Sequence, residues 1–414
     1  MSLRSTAIDI LKKHPGLRLK VRKGLEYYHR AEYKRATGKL PLDSKKILFE
    51  TFTGRQYGCN PKAIYEEILK DPKFNDWTLI WSFKEPDDYK DLPQLQRAKL
   101  VRFKSSEYFR EFGTSKYIIT NSMIYGGITR KDGQTIFQTW HGTPLKRLRC
   151  DIAAESGNVN NTLDEIKIRN DRDTVRYTHF LSPSPWASGK FMSAFNLRAL
   201  GMADIITEVG YPRNDLLTNY TMADVDHVHD SLGIPRGKKI ILYAPTFRDN
   251  NHKSGDGYQY DMRLDFDKLK NELGDEYIIL FRTHYFIANT FDFSKYEGFI
   301  YNMAQLDDIT NLYLITDILV TDYSSVFFDF ACLKRPIIYY MYDLEEYAND
   351  IRGFYLDIDE LPGDIVKTED ELIASIRKLG DGGFTYDEKY EAFNAKFNCL
   401  DDGKAARRVI DTVF

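Results

Sequence analysis

Residues 321–336 read Thr-Asp-Tyr-Ser-Ser-Val-Phe-Phe-Asp-Phe-Ala-Cys-Leu-Lys-Arg-Pro. The apolar run Leu312 to Val320 precedes them and ends in the polar turn Thr321-Asp322-Tyr323-Ser324-Ser325. A helix-period pattern follows through Phe327, Phe328, Phe330 and Ala331. The pattern is that of a strand, a hydroxyl-rich turn and a helix start. Such a turn offers free backbone N–H groups and small hydroxyls to an anion such as phosphate. The same residues also suit a plain helix N-cap, in which Ser324 or Ser325 satisfies the chain's own amides.

Companions of the same kind recur along the chain. In Gln138-Thr139-Trp140-His141-Gly142-Thr143-Pro144-Leu145-Lys146, a strand-like segment runs into a turn. Gly-Thr-Pro there predicts a helix start, since proline suits a first helical position. His141 falls at the C-terminal end of a strand, where open α/β sheets place ligand contacts. A histidine so placed either acts as a general base near neutral pH or hydrogen-bonds the turn. The run Glu276 to Phe281 ends in Arg282-Thr283-His284-Tyr285, and Lys239 to Tyr243 ends in Ala244-Pro245-Thr246-Phe247-Arg248-Asp249. Four such strand ends, from two halves of the chain, predict one cleft between two sheets.

Strand and helix patterns alternate, so the class is α/β. Expected strands in the first half are Lys46–Phe49, Thr78–Trp81, Leu100–Phe103, Tyr117–Thr120, Ile136–Trp140, Phe180–Pro183 and Ile205–Val209. Those in the second half are Lys239–Tyr243, Tyr277–Arg282, Phe299–Tyr301, Ile318–Thr321 and Pro336–Tyr340. The link between halves is expected around Asn219 to Gly233, and the stretch Asn250 to Tyr258 reads as a mobile polar loop.

Composition bounds the function. At 414 residues the chain holds two or three domains, and 43% hydrophobic residues supply sizeable cores. A net charge of −3 excludes a general nucleic-acid binder. Cys59, Cys150, Cys332 and Cys399 are scattered without a Cys-x-x-Cys, which fits a reducing compartment and argues against zinc or a disulfide framework. No apolar run reaches the roughly 18 residues needed to span a bilayer, and the start lacks a signal-peptide core. The expected place is therefore the cytosol or the cytoplasmic membrane face. Asp171-Arg172-Asp173 has the spacing of a metal-binding Asp-x-Asp but lies in a charged helix-and-loop stretch. No metal and no cofactor are expected.

The first forty residues carry eleven basic residues, Arg4, Lys12, Lys13, Arg18, Lys20, Arg22, Lys23, Arg30, Lys34, Arg35 and Lys39, against Asp9, Glu26 and Glu32. Apolar residues are interleaved with them, and Pro15-Gly16 divides the segment into two helical stretches. A basic amphipathic lead is attracted to an anionic membrane surface. An ordinary helix packed on the first domain has the same pattern.

Trp-His-Gly-Thr-Pro-Leu-Lys (140–146), Tyr-Ala-Pro-Thr-Phe-Arg-Asp (243–249), Arg-Thr-His-Tyr (282–285) and Thr-Asp-Tyr-Ser-Ser-Val-Phe-Phe-Asp-Phe (321–330), in this order, resemble the CDP-glycerol glycerophosphotransferase family. These are the teichoic acid primases and polymerases and related capsule polymerases. Phe-Glu-Thr-Phe-Thr-Gly-Arg-Gln-Tyr (49–57), Val-Gly-Tyr-Pro-Arg-Asn-Asp (209–215) and Tyr-Asp-Leu-Glu-Glu-Tyr (342–347) extend the likeness, which runs from about Ile47 to the C-terminus. The resemblance implies a GT-B fold, two Rossmann-like domains facing each other across a cleft. On that basis residues 1–40 form the basic N-terminal segment and 41–222 an acceptor-side domain. Residues 223–385 form a domain for a CDP-polyol donor, and 386–414 a helical segment that could cross back to the first domain.

The resemblance also implies that His141 and His284 matter. We assign the base to His141, and contact with the donor phosphates to His284. Ser324, Ser325, Arg282 and Arg248 are expected at the pyrophosphate. Thr246 is expected to border the nucleotide. Asp322 would orient the turn or His284, and Asp329 would cap the helix or reach a donor hydroxyl. Glu50, Gly54, Arg55 and Lys146 are expected at the acceptor, which the family implies is lipid-linked or a polyol-phosphate polymer. The donor is CDP-glycerol or CDP-ribitol. A nucleotide-sugar glycosyltransferase on the same architecture is the alternative. A non-catalytic membrane scaffold would have no use for His, Arg and Ser at repeated strand ends.

Overall fold

The computed structural model describes residues 15–152, 162–246, 252–253, 257–258, 264–283, 292–345 and 353–414. The chain forms two compact units. One comprises Met1–His141, Asn158–Leu181 and Met192–Thr207; the other comprises Gly142–Gly157, Ser182–Phe191 and Glu208–Phe414.

Seven strands, β1 (Asp43–Glu50), β2 (Thr78–Phe83), β3 (Lys99–Arg102), β4 (Ser115–Thr120), β5 (Thr135–Gln138), β6 (His179–Ser182) and β7 (Ile206–Glu208), build the first sheet. Their order is β3-β2-β1-β4-β5-β6-β7. The β1–β2, β1–β4, β2–β3, β4–β5 and β5–β6 pairs are parallel. Parallel strands covered on both faces need unbroken apolar runs, and Ile47-Leu48-Phe49 and Leu79-Ile80-Trp81 are fully buried. The order reverses direction between β1 and β4, so the loops after these two strands flank the crevice where such sheets bind ligands.

The second unit repeats the plan. Its strands are β8 (Lys239–Ala244), the short antiparallel pair β9 (His252–Lys253) and β10 (Gly257–Tyr258), then β11 (Tyr277–Phe281), β12 (Ile300–Asn302), β13 (Ile318–Thr321), β14 (Ile337–Tyr340) and β15 (Asp364–Val366). The main sheet is ordered β12-β11-β8-β13-β14-β15, with its reversal between β8 and β13. Successive residues of a strand point to opposite faces. Accordingly Leu242, Leu280, Leu319 and Tyr339 enter one core with Phe327 and Phe328, while Ile241, Ile279, Val320 and Ile338 enter the other with Phe266 and Leu269. These are the two Rossmann-like sheets of the GT-B class.

Every strand expected from the sequence is present, with ends shifted by a few residues. Strands β9, β10 and β15 are too short to show a period. The stretch expected as a link is largely helical over Met222–Leu232, because Thr221 and Asp224 form a capping box and Gly233 closes the helix at φ +64°. Pro144 does not open a helix. Leu145 O instead accepts from Tyr355 N at 2.9 Å, and Arg147 N donates to Gly353 O at 3.1 Å, which draws 145–147 into an extended pairing.

The basic N-terminal stretch is a helix over Pro15–Thr37, and residues 1–14 lie outside the described residues. One side of it packs on the first unit. Tyr33 is buried and donates to Thr129 O at 3.0 Å, Arg18 pairs with Glu165 at 3.2 Å, and Glu26 pairs with Arg172 at 2.7 Å. A Cβ on Gly113 would strike Thr37, so the Ser106–Thr114 helix needs glycine there. The other side leaves Leu19, Leu25, Tyr27 and Tyr28 exposed. The helices Glu388–Phe397 and Ala405–Val413 pack in the second unit, the former through Phe393 and Phe397 onto Phe328.

Candidate active site

In the first unit the loop after β1 is built from left-handed backbone. Phe52, Thr53 and Gly54 have φ of +46°, +58° and +75°. Two side chains that follow β4 hold it: Asn121 Oδ1 accepts from Phe52 N and Ser122 Oγ from Thr53 N, each at 2.8 Å. These bonds span the β1/β4 reversal. Non-glycine residues in this region cost on the order of 1–3 kcal/mol and persist where the surroundings over-determine them, commonly at functional sites. Gly54 is obligatory, since a Cβ would lie 3.0 Å from Lys84 N and 3.2 Å from Phe103 Cβ.

Trp140, after β5, is also left-handed at φ +50°. Its N–H donates to Gln138 Oε1 at 2.9 Å, and Asn60 Nδ2 donates to Thr139 O at 3.1 Å. The buried Trp140 ring packs on Phe195 and stacks on His141, with centroids 4.1 Å apart. Phe52 lies 5.8 Å from the imidazole. His141 is thus an exposed histidine oriented by aromatic rings.

Glu50 ends β1 and is 4% exposed. Burial pushes its carboxyl up to about 7, against the opposing pull of Tyr108, Ser82 and Lys104. Its Oε2 is buried without a hydrogen-bond partner among the described residues.

In the second unit the β8/β13 reversal is bridged by one carboxylate. Asp322 Oδ1 accepts from Thr246 N at 2.7 Å and from Tyr323 N at 2.6 Å, while Thr321 Oγ1 donates to Ala244 O at 2.7 Å. Asp322 thus ties the turn that leads to Ser324 and Ser325 to the residues after β8. Both serines are half-buried. Ser325 stands at the start of the Val326–Phe330 helix in helical geometry, and its side chain makes no cap bond. The plain N-cap reading fails for that hydroxyl.

A Cβ on Gly142, the residue that follows His141 in sequence, would lie 2.9 Å from Ser325 Oγ and 4.0 Å from Arg213 Nη2. Arg213 Nη2 is 2.9 and 2.8 Å from the two oxygens of Asp329, and the guanidinium lies over the Tyr211 ring. Asn214 Nδ2 joins Asp329 at 3.2 Å and Asp401 at 2.9 Å, and Asp401 also accepts from Tyr211 N at 2.7 Å. Burial pushes the Asp401 carboxyl up to about 7. The Asp329 carboxylate is thus committed to Arg213 and Asn214.

Arg282 follows β11 and donates to Met303 O; burial pulls its pKa down while Tyr313, Asp308 and Asp307 hold it up. Lys146 pairs through its backbone with Phe354. His284 and Arg248 lie outside the described residues. Arg213, Asn121, Ser122 and Asp401 escaped the sequence reading. Arg213 stood in a quoted motif without a role, and the position of Asn121-Ser122 after a strand was the available signal for that pair. Among the described residues no group of three His, Cys, Asp or Glu could hold a metal ion.

The profile of the CDP-Glycerol:Poly(glycerophosphate) glycerophosphotransferase family matches residues 32–414. The teichoic acid poly(glycerol phosphate) polymerase of Bacillus spizizenii is 38% identical over 379 residues, covering 91% of this chain and 94% of that one. The polymerase of the same description from Bacillus subtilis is 37% identical over 380 residues, and there the chain spans 49% of the relative's length. The teichoic acid glycerol-phosphate transferase of Staphylococcus aureus is 37% identical, with 91% and 94% covered. Among solved structures, the wall teichoic acid polymerase TagF superposes with a TM-score of 0.84 at 35% identity over 97% of each chain. A match of this extent places the chain in the CDP-Glycerol:Poly(glycerophosphate) glycerophosphotransferase family.

Proposed function

We propose that the chain transfers a polyol phosphate, glycerol phosphate before ribitol phosphate, from a CDP-polyol to a hydroxyl of a lipid-linked or polymer acceptor in teichoic acid or capsule-type polymer synthesis. Glycerol is favoured because two poly(glycerol phosphate) polymerases are 37% and 38% identical, against 30% for a teichoic acid poly(ribitol-phosphate) polymerase. One TagF structure comes from a crystal soaked with CDPG. The observation that carries the reading is the Ser325 hydroxyl: it follows a sheet reversal, makes no cap bond, and lies so near Gly142 that a Cβ there would stand 2.9 Å from it.

The acceptor oxygen attacks the distal phosphorus, the bond from that phosphorus to the CMP oxygen breaks, and CMP leaves with the electron pair. His141 takes the hydroxyl proton. Ser324 and Ser325 donate to the pyrophosphate, with Arg282, Arg248 and His284 supplying positive charge as it builds on the leaving phosphate. Thr246 borders the nucleotide. Glu50, Gly54, Arg55 and Lys146 serve the acceptor. The protein works at the cytoplasmic membrane face, held peripherally by the exposed side of the Pro15–Thr37 helix; no helix among the described residues is long and apolar enough to cross a membrane.

Incubation with CDP-glycerol, CDP-ribitol and UDP-sugars, with release of CMP or UDP followed, tests the reading. CMP from CDP-glycerol supports it, with product length separating one addition from many. UDP release alone would establish the glycosyltransferase instead.

A further inference from the structure

Gln138 is the last residue of β5, is 1% exposed, and uses both ends of its carboxamide. Its Oε1 accepts from Trp140 N and its Nε2 donates to Ser122 O, each at 2.9 Å. The two ends are not interchangeable, since the reverse orientation would set an N–H against an N–H and an oxygen against an oxygen. Ser122 belongs to the pair that holds the loop after β1. Its Oγ accepts from Thr53 N at 2.8 Å and donates to Asn121 Oδ1 at 3.1 Å, and Asn121 Oδ1 accepts from Phe52 N at 2.8 Å. One bonded chain therefore runs from the loop after β1, through the turn after β4, to the turn after β5.

Each end of this chain is a left-handed residue whose ring faces His141. Phe52, at φ +46°, sets its ring 5.8 Å from the imidazole. Trp140, at φ +50°, stacks on it at 4.1 Å with the ring planes 23° apart. Bulky residues avoid this backbone region, so their own preferences oppose both conformations. Tertiary bonds must hold them. The wholly buried Asn60, on the Cys59–Lys70 helix, donates to Thr139 O at 3.1 Å and Trp140 O at 3.4 Å. Gln138 takes the remaining group, the Trp140 N–H, and ties it to β4. A Trp140 that returned to ordinary dihedrals would redirect the peptide that carries His141.

We propose that Gln138 is a positioning residue for His141, its carboxamide fixing the direction of the imidazole and coupling it to the loop after β1. This rests on the reading of His141 as the base, and adds the side chain that aims it. Only a group that accepts at one end and donates at the other fits, and a buried partner left unmatched is costly. A misplacement of about 1 Å at a reacting group costs on the order of 10²-fold in rate.

The test uses Gln138→Met, which keeps the length of the side chain and removes both bonds. With CDP-glycerol and a soluble acceptor, kcat should fall on the order of 10²-fold while KM for CDP-glycerol holds. In a His141→Ala background the same substitution should cost little or nothing further, because it acts through His141. Independently of activity, the imidazole resonances of His141 in histidine-labelled protein, identified by their loss in His141→Ala, should move as the Trp140 ring is displaced. Gln138→Glu guards against a Met variant that fails to fold. It keeps an acceptor for Trp140 N but donates to Ser122 O only when protonated, so its deficit against the parent should shrink as pH falls. An unmoved His141 resonance in either folded variant, an equal fold-loss in the His141→Ala background, or a Glu deficit constant with pH would overturn the proposal. A resonance that moves while His141→Ala turns over normally would leave Gln138 as the residue that aims His141 and sink the base role alone.

Discussion

Gly142 and Ser325 approach so closely that a single methyl group on the glycine would lie 2.9 Å from the serine hydroxyl. Gly142→Ala should therefore push the hydroxyl aside and weaken CDP-glycerol binding, with little loss of stability because a side-chain end can move. Removing the obstacle tests the cause. Gly142→Ala with Ser325→Ala should be no worse than Ser325→Ala alone, and two additive losses would show that the contact is irrelevant to the donor.

His141→Ala should lower turnover by about 10²–10⁴-fold while leaving the unfolding midpoint in place, because the side chain is exposed and acts in proton transfer. Near-normal turnover in a folded variant would remove His141 from the base role.

The Arg213–Asp329 pair is buried on both sides, with 9% and 7% of the side chains exposed. Removing one partner strands a buried charge, so Arg213→Met should cost about 3–5 kcal/mol, while a paired apolar replacement costs far less. Denaturant unfolding of the two single variants and the double variant measures the coupling. Additive single losses would mean that the pair is not coupled.

Glu50 makes stability fall as pH rises. Its folded pKa of about 7 lies above the ordinary 4.5, so between these values the folded state keeps a proton that the unfolded state has released. The cost is absent below about 4.5 and fully present above about 7, on the order of 3 kcal/mol. Glu50→Gln should be more stable than the parent at pH 8, and the gap should close by pH 5. If Glu50 serves the acceptor, the same variant loses activity while it gains stability. A pH-independent gap in melting temperature would contradict the assignment.

The Pro15–Thr37 helix divides into a packed side and an exposed side, so membrane attachment can be tested without unfolding it. Leu25→Ser with Tyr28→Ser alters residues 54% and 60% exposed and leaves Tyr33 and Arg18 seated. Sedimentation with anionic vesicles should fall, while turnover of a short soluble acceptor stays. Deleting the whole segment is a poorer probe, since it also strips the buried Tyr33. Equal sedimentation of parent and variant would make the exposed side an ordinary solvated face.

How much the sequence disclosed follows from the range of each interaction. Runs such as Ile47-Leu48-Phe49 and Ile318-Leu319-Val320 announce their strands because a doubly covered parallel strand must be apolar throughout. The strand ends that carry Ser324 and His141 were legible because such ends are local features. The fate of Pro144 was not, because the bonds that straighten 145–147 come from Gly353 and Tyr355. Arg213 and Asp329 lie 116 residues apart, and Asp401 reaches Tyr211 across 190. No period or turn signal encodes such pairings. Glu50 was legible as a position, but its raised pKa depends on burial that only the packed sheet creates.

Asp401 has one more bearing, on the order in which the molecule is finished at the ribosome. Gly210 sits at φ +82° with Leu400 O 2.5 Å from where a Cβ would stand, Tyr211 N donates to Asp401, and Asp215 accepts from Ala405 N and Ala406 N. The turn that carries Arg213 is synthesised near the middle of the chain but is clamped only when residues 400–406 emerge. Nascent chains halted before that point lack the clamp on the Arg213 seat, so this turn is completed only after both sheets have been made.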